Sequence, residues 1–97
     1  MSLETSYAHI AKDRQVCGGK ACIEGTRIRV MDVVAAAQHL ALSPDEICDQ
    51  YPELTLAQIH SALAYYYDHR DEIRADFESE REAAARFKRD HPDQVAP

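Results

Sequence analysis

Glycine is scarce in this chain of 97 residues, and its three copies, at positions 18, 19 and 25, all fall in the stretch Cys17–Val30. Glycine adopts positive φ without a steric penalty, so glycines confined to one stretch indicate where the backbone turns sharply. Gly18-Gly19 and Glu24-Gly25 therefore predict two turns, and the β-prone runs Cys22-Ile23 and Thr26–Val30 predict short strands beside them. The stretch is expected to form a small arm that contains strands.

Long apolar runs and a secretory start are also lacking. No run approaches the roughly 18 residues of a membrane span, and residues 1–10 have neither the basic start nor the apolar centre of a signal peptide. Apolar residues make up 45% of the chain and charged residues 29%, as in ordinary globular proteins. The sequence therefore predicts one domain over residues 1–97, with a cytoplasmic location and no membrane partner.

Metal-ligand spacings are missing as well. The three cysteines, Cys17, Cys22 and Cys48, form no C-x-x-C pair, and no two of the five histidines have the spacing of a zinc site. The alternatives are a metal site completed by a histidine and reduced thiols packed as small apolar side chains, and the spacing favours packing. No metal and no cofactor are expected.

Phosphate-loop and catalytic patterns are absent too. Lys20 follows two glycines, but Ala21 comes next and no helix is expected there, so the G-x-x-x-x-G-K-[ST] pattern of a P-loop is not met. No serine or cysteine has an evident base partner, and the carboxylates lie on segments expected to be solvated helices. The chain is therefore not expected to be an enzyme.

Positive charge is in short supply and unevenly placed. The formal net charge is −6, yet residues 1–30 hold five basic and three acidic side chains, whereas the rest of the chain holds six basic and fourteen acidic ones. No lysine or arginine occurs between Met31 and His69. General nucleic-acid affinity comes from neutralising phosphates, so any DNA contact would depend on Lys20, Arg27 and Arg29.

Three helical segments follow the arm, which is assigned to residues 7–30. Apolar residues at helical spacing predict the first helix over about Met31 to Leu40. The second opens with an S-P-D-E capping box at Ser43, and the third opens with a T-L-A-Q box at Thr55. With a short link between them, these helices predict a mainly α fold whose core, residues 31–67, is a three-helix bundle of helix-turn-helix type.

The third helix of such a core lies in the major groove of DNA. Gln58, His60 and Ser61 would face outward from it, and glutamine and serine can hydrogen-bond to base edges. The lack of cations on this face weakens phosphate anchoring. DNA binding and a protein-interaction role for the helix pair therefore both stay open.

Residues 68–90 form a highly charged helical extension that keeps a thin apolar stripe at helical spacing. Ile73, Phe77 and Phe87 belong to this stripe. Exposed phenylalanines on a polar helix favour docking on a partner over a purely solvated extension. Residues 91–97 contain two prolines and are expected to be disordered, and residues 1–5 are expected to fray.

The motifs of the arm and helices resemble those of one known family. The run G-G-K-A-C-I-E-G-T-R-I-R-V, the later L-S-P-D-E-I and then Y-P-E-L-T-L-A-Q-I-H-S-A-L-A-Y-Y closely resemble the prokaryotic domain-of-unknown-function family 433, over about Tyr7 to Ile73. The resemblance implies a homeodomain-like helix-turn-helix fold with an N-terminal β-arm, through which two copies form a homodimer. It also implies a VapB-like antitoxin of a type II toxin–antitoxin pair, which binds a PIN-like toxin and its own operator DNA.

The sequence departs from the family pattern at a few positions. Arg29 and Ala21 stand where the family usually has proline, and Ala41-Leu42 replaces the glycine that commonly ends the first helix. That helix is therefore expected to end without a left-handed cap. The resemblance further implies that the charged extension occupies the toxin, as an acidic helix on a basic rim. The alternative function is a dimeric protein-interaction adaptor without DNA affinity.

Overall fold

The fold is described from a computed structural model, which covers residues 3–4 and 7–94. Over this part, the chain forms four helices and a small antiparallel sheet near the N-terminus. In chain order the elements are β1 (Leu3–Glu4), β2 (Ile10–Lys12), β3 (Cys22–Ile23), α1 (Val30–Gln38), α2 (Pro44–Gln50), α3 (Leu56–Asp68) and α4 (Arg70–Asp90). The predicted mainly α class is confirmed.

The sheet belongs to the arm and has the strand order β1-β2-β3, antiparallel throughout. Ile10 on β2 pairs with Ile23 on β3, and both side chains are buried. The two predicted turns are confirmed, since Gly18, Gly19 and Gly25 all adopt positive φ. The strands of the arm thus pair within the chain.

The start of the arm is not extended, because β2 begins only at Ile10. His9 has a φ of 68°, and the amide of Ile10 hydrogen-bonds back to the carbonyl of Tyr7, which makes a turn. The ring of Tyr7 packs edge-on against Tyr65, with 5.3 Å between the ring centroids. The segment before β2 therefore attaches the arm to α3.

The run 26–30 also differs from the predicted strand. The hydroxyl of Thr26 donates to the carbonyl of Ile23 and accepts from the amide of Ile28, so the start of the run is a turn. Of this run only Arg29 forms a β-bridge, opposite β3. The backbone is thereby directed straight into α1.

α2 and α3 begin where the sequence predicts. Ser43 Oγ accepts the amide of Glu46 at 3.2 Å, and the Glu46 carboxylate accepts the amide of Ser43 at 2.9 Å. Thr55 and Gln58 form the same reciprocal pair at 3.2 and 2.8 Å. These bonds satisfy amides that a helix start leaves unpaired and contribute about 1 kcal/mol per cap. Both predicted capping boxes are confirmed.

The end of α1 departs from expectation. α1 spans Val30–Gln38, two residues shorter at its C-terminus than predicted. Ala41 then adopts a left-handed φ of 55°, and the amide of Leu42 hydrogen-bonds to the carbonyl of Ala36 at 3.0 Å. The cap residue His39 is right-handed, as expected, and the left-handed conformation comes two residues later, where alanine adopts it in place of glycine at a cost of about 1 kcal/mol.

The core lies where α1, α2, α3 and the start of α4 meet the sheet. Consecutive helical positions point in different directions, so Tyr65 and Tyr66 are buried and Tyr67 is 55% exposed. Ile73 of α4 belongs to the same core. The largest fully buried side chains are Ile10, Ile23, Val30, Val33, Val34, Ile47, Ile59 and Ile73.

α4 has a docked part and a projecting part. Ile73 is fully buried and Phe77 is half-buried against the core. From residue 78 to residue 90 every side chain is exposed, although the helix continues. We call residues 78–90 the distal segment of α4.

The two ends of the chain bear on further expectations. Within residues 91–97, for which disorder is predicted, Pro92–Gln94 form a 3-10 turn. Residues 95–97, and the predicted fraying at residues 1, 2 and 5, lie outside the described residues. No helix of the described part combines the length and apolar character needed to cross a membrane.

Candidate functional site: the arm and the fourth helix

Glu80 on α4 forms ion pairs with two cations of the arm. Lys20 Nζ lies 2.9 Å from Glu80 Oε1, and Arg29 Nη1 lies 2.6 Å from the same oxygen. Lys20 follows the Gly18-Gly19 turn and Arg29 directly precedes α1, so the turns of the arm bring the two together. Hydrogen bonds from both cations hold the pKa of the Glu80 carboxyl below its usual range.

Arg29 is held in place by Asp32 in the first turn of α1. Its Nε and Nη2 lie 3.1 and 2.9 Å from the two Asp32 carboxylate oxygens, which is a bidentate pair. Its backbone amide also donates to Asp32 at 2.9 Å. The side-chain hydrogen bonds to Asp32 raise the pKa of the Arg29 guanidinium, and Glu80 adds to the effect. Only Nη1 is left to reach across to α4.

The acids of α4 that meet the arm recur every four residues, at Glu72, Asp76 and Glu80, and therefore share one side of the helix. We call them the acidic face of α4. Lys12 Nζ on β2 lies 2.9 Å from Glu72 Oε2. Burial raises the pKa of Asp76, the charge of Glu72 raises it further, and the arm's cations oppose the rise. The face neutralises the excess positive charge of the arm.

Another side of α4 is basic and aromatic. The ring centroid of Phe77 lies 5.5 Å from that of His39. Arg81 pairs with Glu78 one turn earlier at 2.5 Å, so part of the local positive charge is offset. An open cleft on this side is lined by Gln38, His39, Tyr66, Arg74, Phe77, Glu78 and Arg81.

The arm's three candidate DNA-binding cations differ in how free they are. Lys20 and Arg29 are engaged with Glu80. Arg27 is exposed, and among the described residues it forms no ion pair. The structure thus brings all three to one cleft but leaves a single cation open to solvent.

The candidate base-reading residues on α3 differ in exposure and in how free their side chains are to bind. The Gln58 side-chain oxygen accepts the Thr55 amide in the capping box, which occupies its acceptor. His60 is exposed and Ser61 is half-buried. The outward side of α3 otherwise carries exposed apolar side chains, with Leu56 at 43% exposure and Tyr67 at 55%. Such a surface resembles a protein interface more than a phosphate-anchored reading helix.

The three candidate partner-binding residues also differ in exposure. Ile73 is fully buried within its own chain, which corrects its assignment to a docking stripe, because no surface of the side chain is left for a partner. Phe77 is half-buried beside His39. Phe87 is 46% exposed and its ring stacks on His91 at 4.5 Å. Only Phe87 fits the predicted role fully.

The cysteines behave as packing residues. All three are free thiols, with Cys22 buried and the other two half-buried. Burial raises the pKa of the Cys22 thiol to about 11, and neighbouring Cys17 adds to the rise. Cys48 Sγ lies 3.7 Å from the carbonyl oxygen of Leu54. Buried Cys22 fits the packing interpretation best.

Sequence reasoning missed the acidic face of α4. A signal was present, because Glu72, Asp76 and Glu80 recur at i, i+4 and i+8 on a helix that follows a basic arm. The charge asymmetry of the chain indicated where their partners lie. The exact pairing could not be predicted, since it joins Lys20 and Glu80 across sixty positions.

Fold and site define a class: a small, mainly helical protein whose N-terminal antiparallel arm is joined to its last helix by ion pairs. The family described as "Protein of unknown function (DUF433)" matches residues 10–66, more than half of the chain. The chain therefore belongs to the DUF433 family, which confirms the family inferred from the motifs.

A solved structure agrees with this assignment. The crystal structure of a DUF433 member protein from Anabaena variabilis ATCC 29413 is 34% identical to this chain, with a TM-score of 0.65. The match covers 70% of this chain and 66% of that one, so it spans slightly less than two thirds of that protein. Among curated proteins no match was found.

Proposed function

We propose that this protein is an antitoxin-type binding protein, in which residues 7–77 form a body and the distal segment of α4 holds a partner protein. The observation that carries the proposal is the exposure of every side chain from 78 to 90 in a segment that is still helical. A polar helix gains little stability alone, because most helical stability comes from packing. Docking on a partner protein would supply that packing. Phe87 supplies an aromatic anchor.

The charges of the distal segment describe the partner's surface. The segment holds four acidic and four basic residues, so it has no net charge. Its end, R-F-K-R at 86–89, is positive, whereas Glu80 is directed towards the arm. A complementary surface has an apolar pocket for Phe87 with acidic groups around it. This replaces the acidic helix on a basic rim that the resemblance implies. The proposed partner is still a PIN-like toxin.

Operator DNA is the second proposed partner, and the arrangement of α2 and α3 favours it. These capped helices follow each other across residues 51–55 and both pack on α1, as in a homeodomain-like helix-turn-helix. The lack of cations on the outward side of α3 makes protein binding the stronger proposal. A homodimer through the arm is proposed with it, because β1 is an edge strand that a second copy could extend.

Co-expression with the product of the neighbouring gene tests the toxin proposal. If that product arrests growth, the full chain should restore growth and a chain that ends at Arg81 should not. The shortened chain keeps buried Ile73 and the Glu80 ion pairs, so its body should fold. Rescue by the shortened chain would remove the distal segment from the function.

A single substitution tests the aromatic anchor. Phe87→Ala should weaken the complex roughly tenfold or more, as loss of a buried aromatic anchor does. Glu82→Ala changes an exposed residue of the same segment and should leave affinity near that of the unmodified chain. Equal affinities for the two variants would contradict the anchor role.

Gel-shift titration against the upstream DNA separates the regulator from the adaptor without DNA affinity. A regulator should bind its operator more tightly than random duplex at physiological salt. Equal affinity for both duplexes would leave the adaptor as the function.

A further inference from the structure

Two cations from separate segments of the arm converge on one oxygen atom. Lys20 Nζ and Arg29 Nη1 lie 2.9 and 2.6 Å from Glu80 Oε1. The surrounding cleft is lined by Cys17, Gly18, Lys20, Arg27, Arg29, Asp32, Ser79 and Glu80. We propose that this cleft binds a phosphate group of a ligand through Lys20, Arg27 and Arg29, and that the Glu80 carboxylate occupies the place of the phosphate in this structure.

The cations of the cleft are arranged before any ligand binds. Asp32 holds Nε and Nη2 of Arg29, so the guanidinium is fixed with Nη1 directed into the cleft. Lys20 extends from the turn after the two glycines and is four-fifths buried along its side chain. Preorganised donors lose little conformational freedom on binding, which favours an anion at this point.

Glu80 is a replaceable occupant. Its side chain is 47% exposed on the surface of α4. Ion pairs at such exposed positions contribute little to stability, because solvent screens them and the side chains lose freedom. The carboxylate can therefore rotate away while α4 stays docked through Ile73. A terminal phosphate group carries more negative charge than a carboxylate and offers more acceptor oxygens to the same donors. A backbone phosphodiester carries the same single charge as the carboxylate that it would replace.

Arg27 is a third cation of the cleft, and Glu80 does not pair with it. It lines the same cleft, is exposed, and forms no ion pair among the described residues. A phosphate with several acceptor oxygens can engage Lys20, Arg29 and Arg27 together. The site relies on side chains and differs from a glycine-loop cradle, since no helix begins after Lys20.

The inference is independent of partner binding by the distal segment, which begins at the cleft and extends away from it. The phosphate could belong to a small phosphorylated molecule or to the backbone of a nucleic acid. Inorganic pyrophosphate and a short DNA duplex serve as probes for the two sources. Both are titrated by calorimetry into the full chain at low salt, where exposed charges are least screened.

Three substitutions test the site. Glu80→Gln removes the competing carboxylate and should tighten binding of a probe roughly threefold or more relative to the unmodified chain. Glu82→Gln makes the same change in net charge two residues further along α4 and should leave the affinity near that of the unmodified chain. Adding Arg27→Gln to Glu80→Gln should abolish the gain.

Each outcome decides the proposal. Tighter pyrophosphate binding by Glu80→Gln supports a small phosphorylated ligand, and tighter duplex binding alone supports a nucleic-acid backbone. Equal gains for Glu80→Gln and Glu82→Gln would overturn the site, because net charge would then explain the effect. The site would also be overturned if Glu80→Gln bound neither probe. It would be overturned as well if the double variant with Arg27→Gln bound a probe as tightly as Glu80→Gln does.

Discussion

The hydroxyl of Tyr65 lies 2.8 and 2.9 Å from the two carboxylate oxygens of Glu72, and Lys12 Nζ lies 2.9 Å from one of them. One carboxylate thus joins α3, α4 and β2. Burial raises the pKa of Tyr65, and its hydrogen bond to Glu72 raises it further, so the tyrosine remains a neutral donor. The acidic face of α4 therefore fixes the helix against the body as well as neutralising the arm.

Tyr65→Phe should reduce the free energy of unfolding by about 1.5 kcal/mol, because a hydrogen bond to a charged acceptor is lost. The ring still fills its place, so no cavity forms. Tyr67→Phe is the matched control, since Tyr67 is 55% exposed and should change stability by less than about 0.5 kcal/mol. Urea unfolding measures both, and equal effects would contradict the role given to the Tyr65 hydroxyl.

Truncation of two apolar residues of α4 should reduce stability by very different amounts. Ile73→Ala should cost about 3 kcal/mol of stability, because Ile73 is fully buried among α-helices and sheet. Phe87→Ala should cost no more than about 0.5 kcal/mol in the isolated chain, because its ring is half exposed on the distal segment. Thermal unfolding of both variants gives the answer. A large loss for Phe87→Ala would mean that the distal segment packs on its own chain.

The features predicted correctly from sequence are those set by neighbouring residues. The caps at Ser43 and Thr55 depend on side chains three positions apart, and the turns depend on glycines at those positions. Each of these patterns involves residues no more than three positions apart in the sequence. The start of α2 and of α3 could therefore be placed to the residue.

Two of the missed features depend on contacts between residues that are far apart in the chain. The turn at His9 places Tyr7 against Tyr65, a contact that no local pattern encodes. The burial of Ile73 follows from how α4 crosses the body, and a stripe at helical spacing predicts burial without saying whether the chain itself or a partner covers it. Ile73 and Phe87 belong to the same predicted stripe, yet Ile73 is buried by its own chain and Phe87 is not.

Ala41 offers a test of backbone strain. Its φ of 55° is costly for alanine and free for glycine, so Ala41→Gly should stabilise the fold by about 0.5 kcal/mol after the entropy that glycine adds to the unfolded chain. Ala64→Gly is the control, because this exposed position in α3 is helical and glycine should cost about 1 kcal/mol there. Chemical denaturation that shows both glycines destabilising would contradict the left-handed conformation at Ala41.

Asp76 and Glu80 lie one turn apart on α4 and should shift stability with pH in opposite directions. Folding raises the pKa of Asp76 above its ordinary 3.8, so its ionised form opposes folding, and stability falls as pH rises through the folded pKa. Folding lowers the pKa of Glu80 below its ordinary 4.5, so its stabilising effect is present above 4.5 and is lost as pH falls.

At neutral pH, Asp76→Asn should therefore stabilise the protein and Glu80→Gln should destabilise it. Both differences should shrink towards zero under acidic conditions, where each carboxyl of the unmodified chain is protonated. Urea unfolding at a series of pH values measures this, with Glu82→Gln as the control for net charge. Effects of the same sign for the two variants, or differences that persist in acid, would contradict this account, in which Asp76 is partly buried beside Glu72 whereas exposed Glu80 pairs with Lys20 and Arg29.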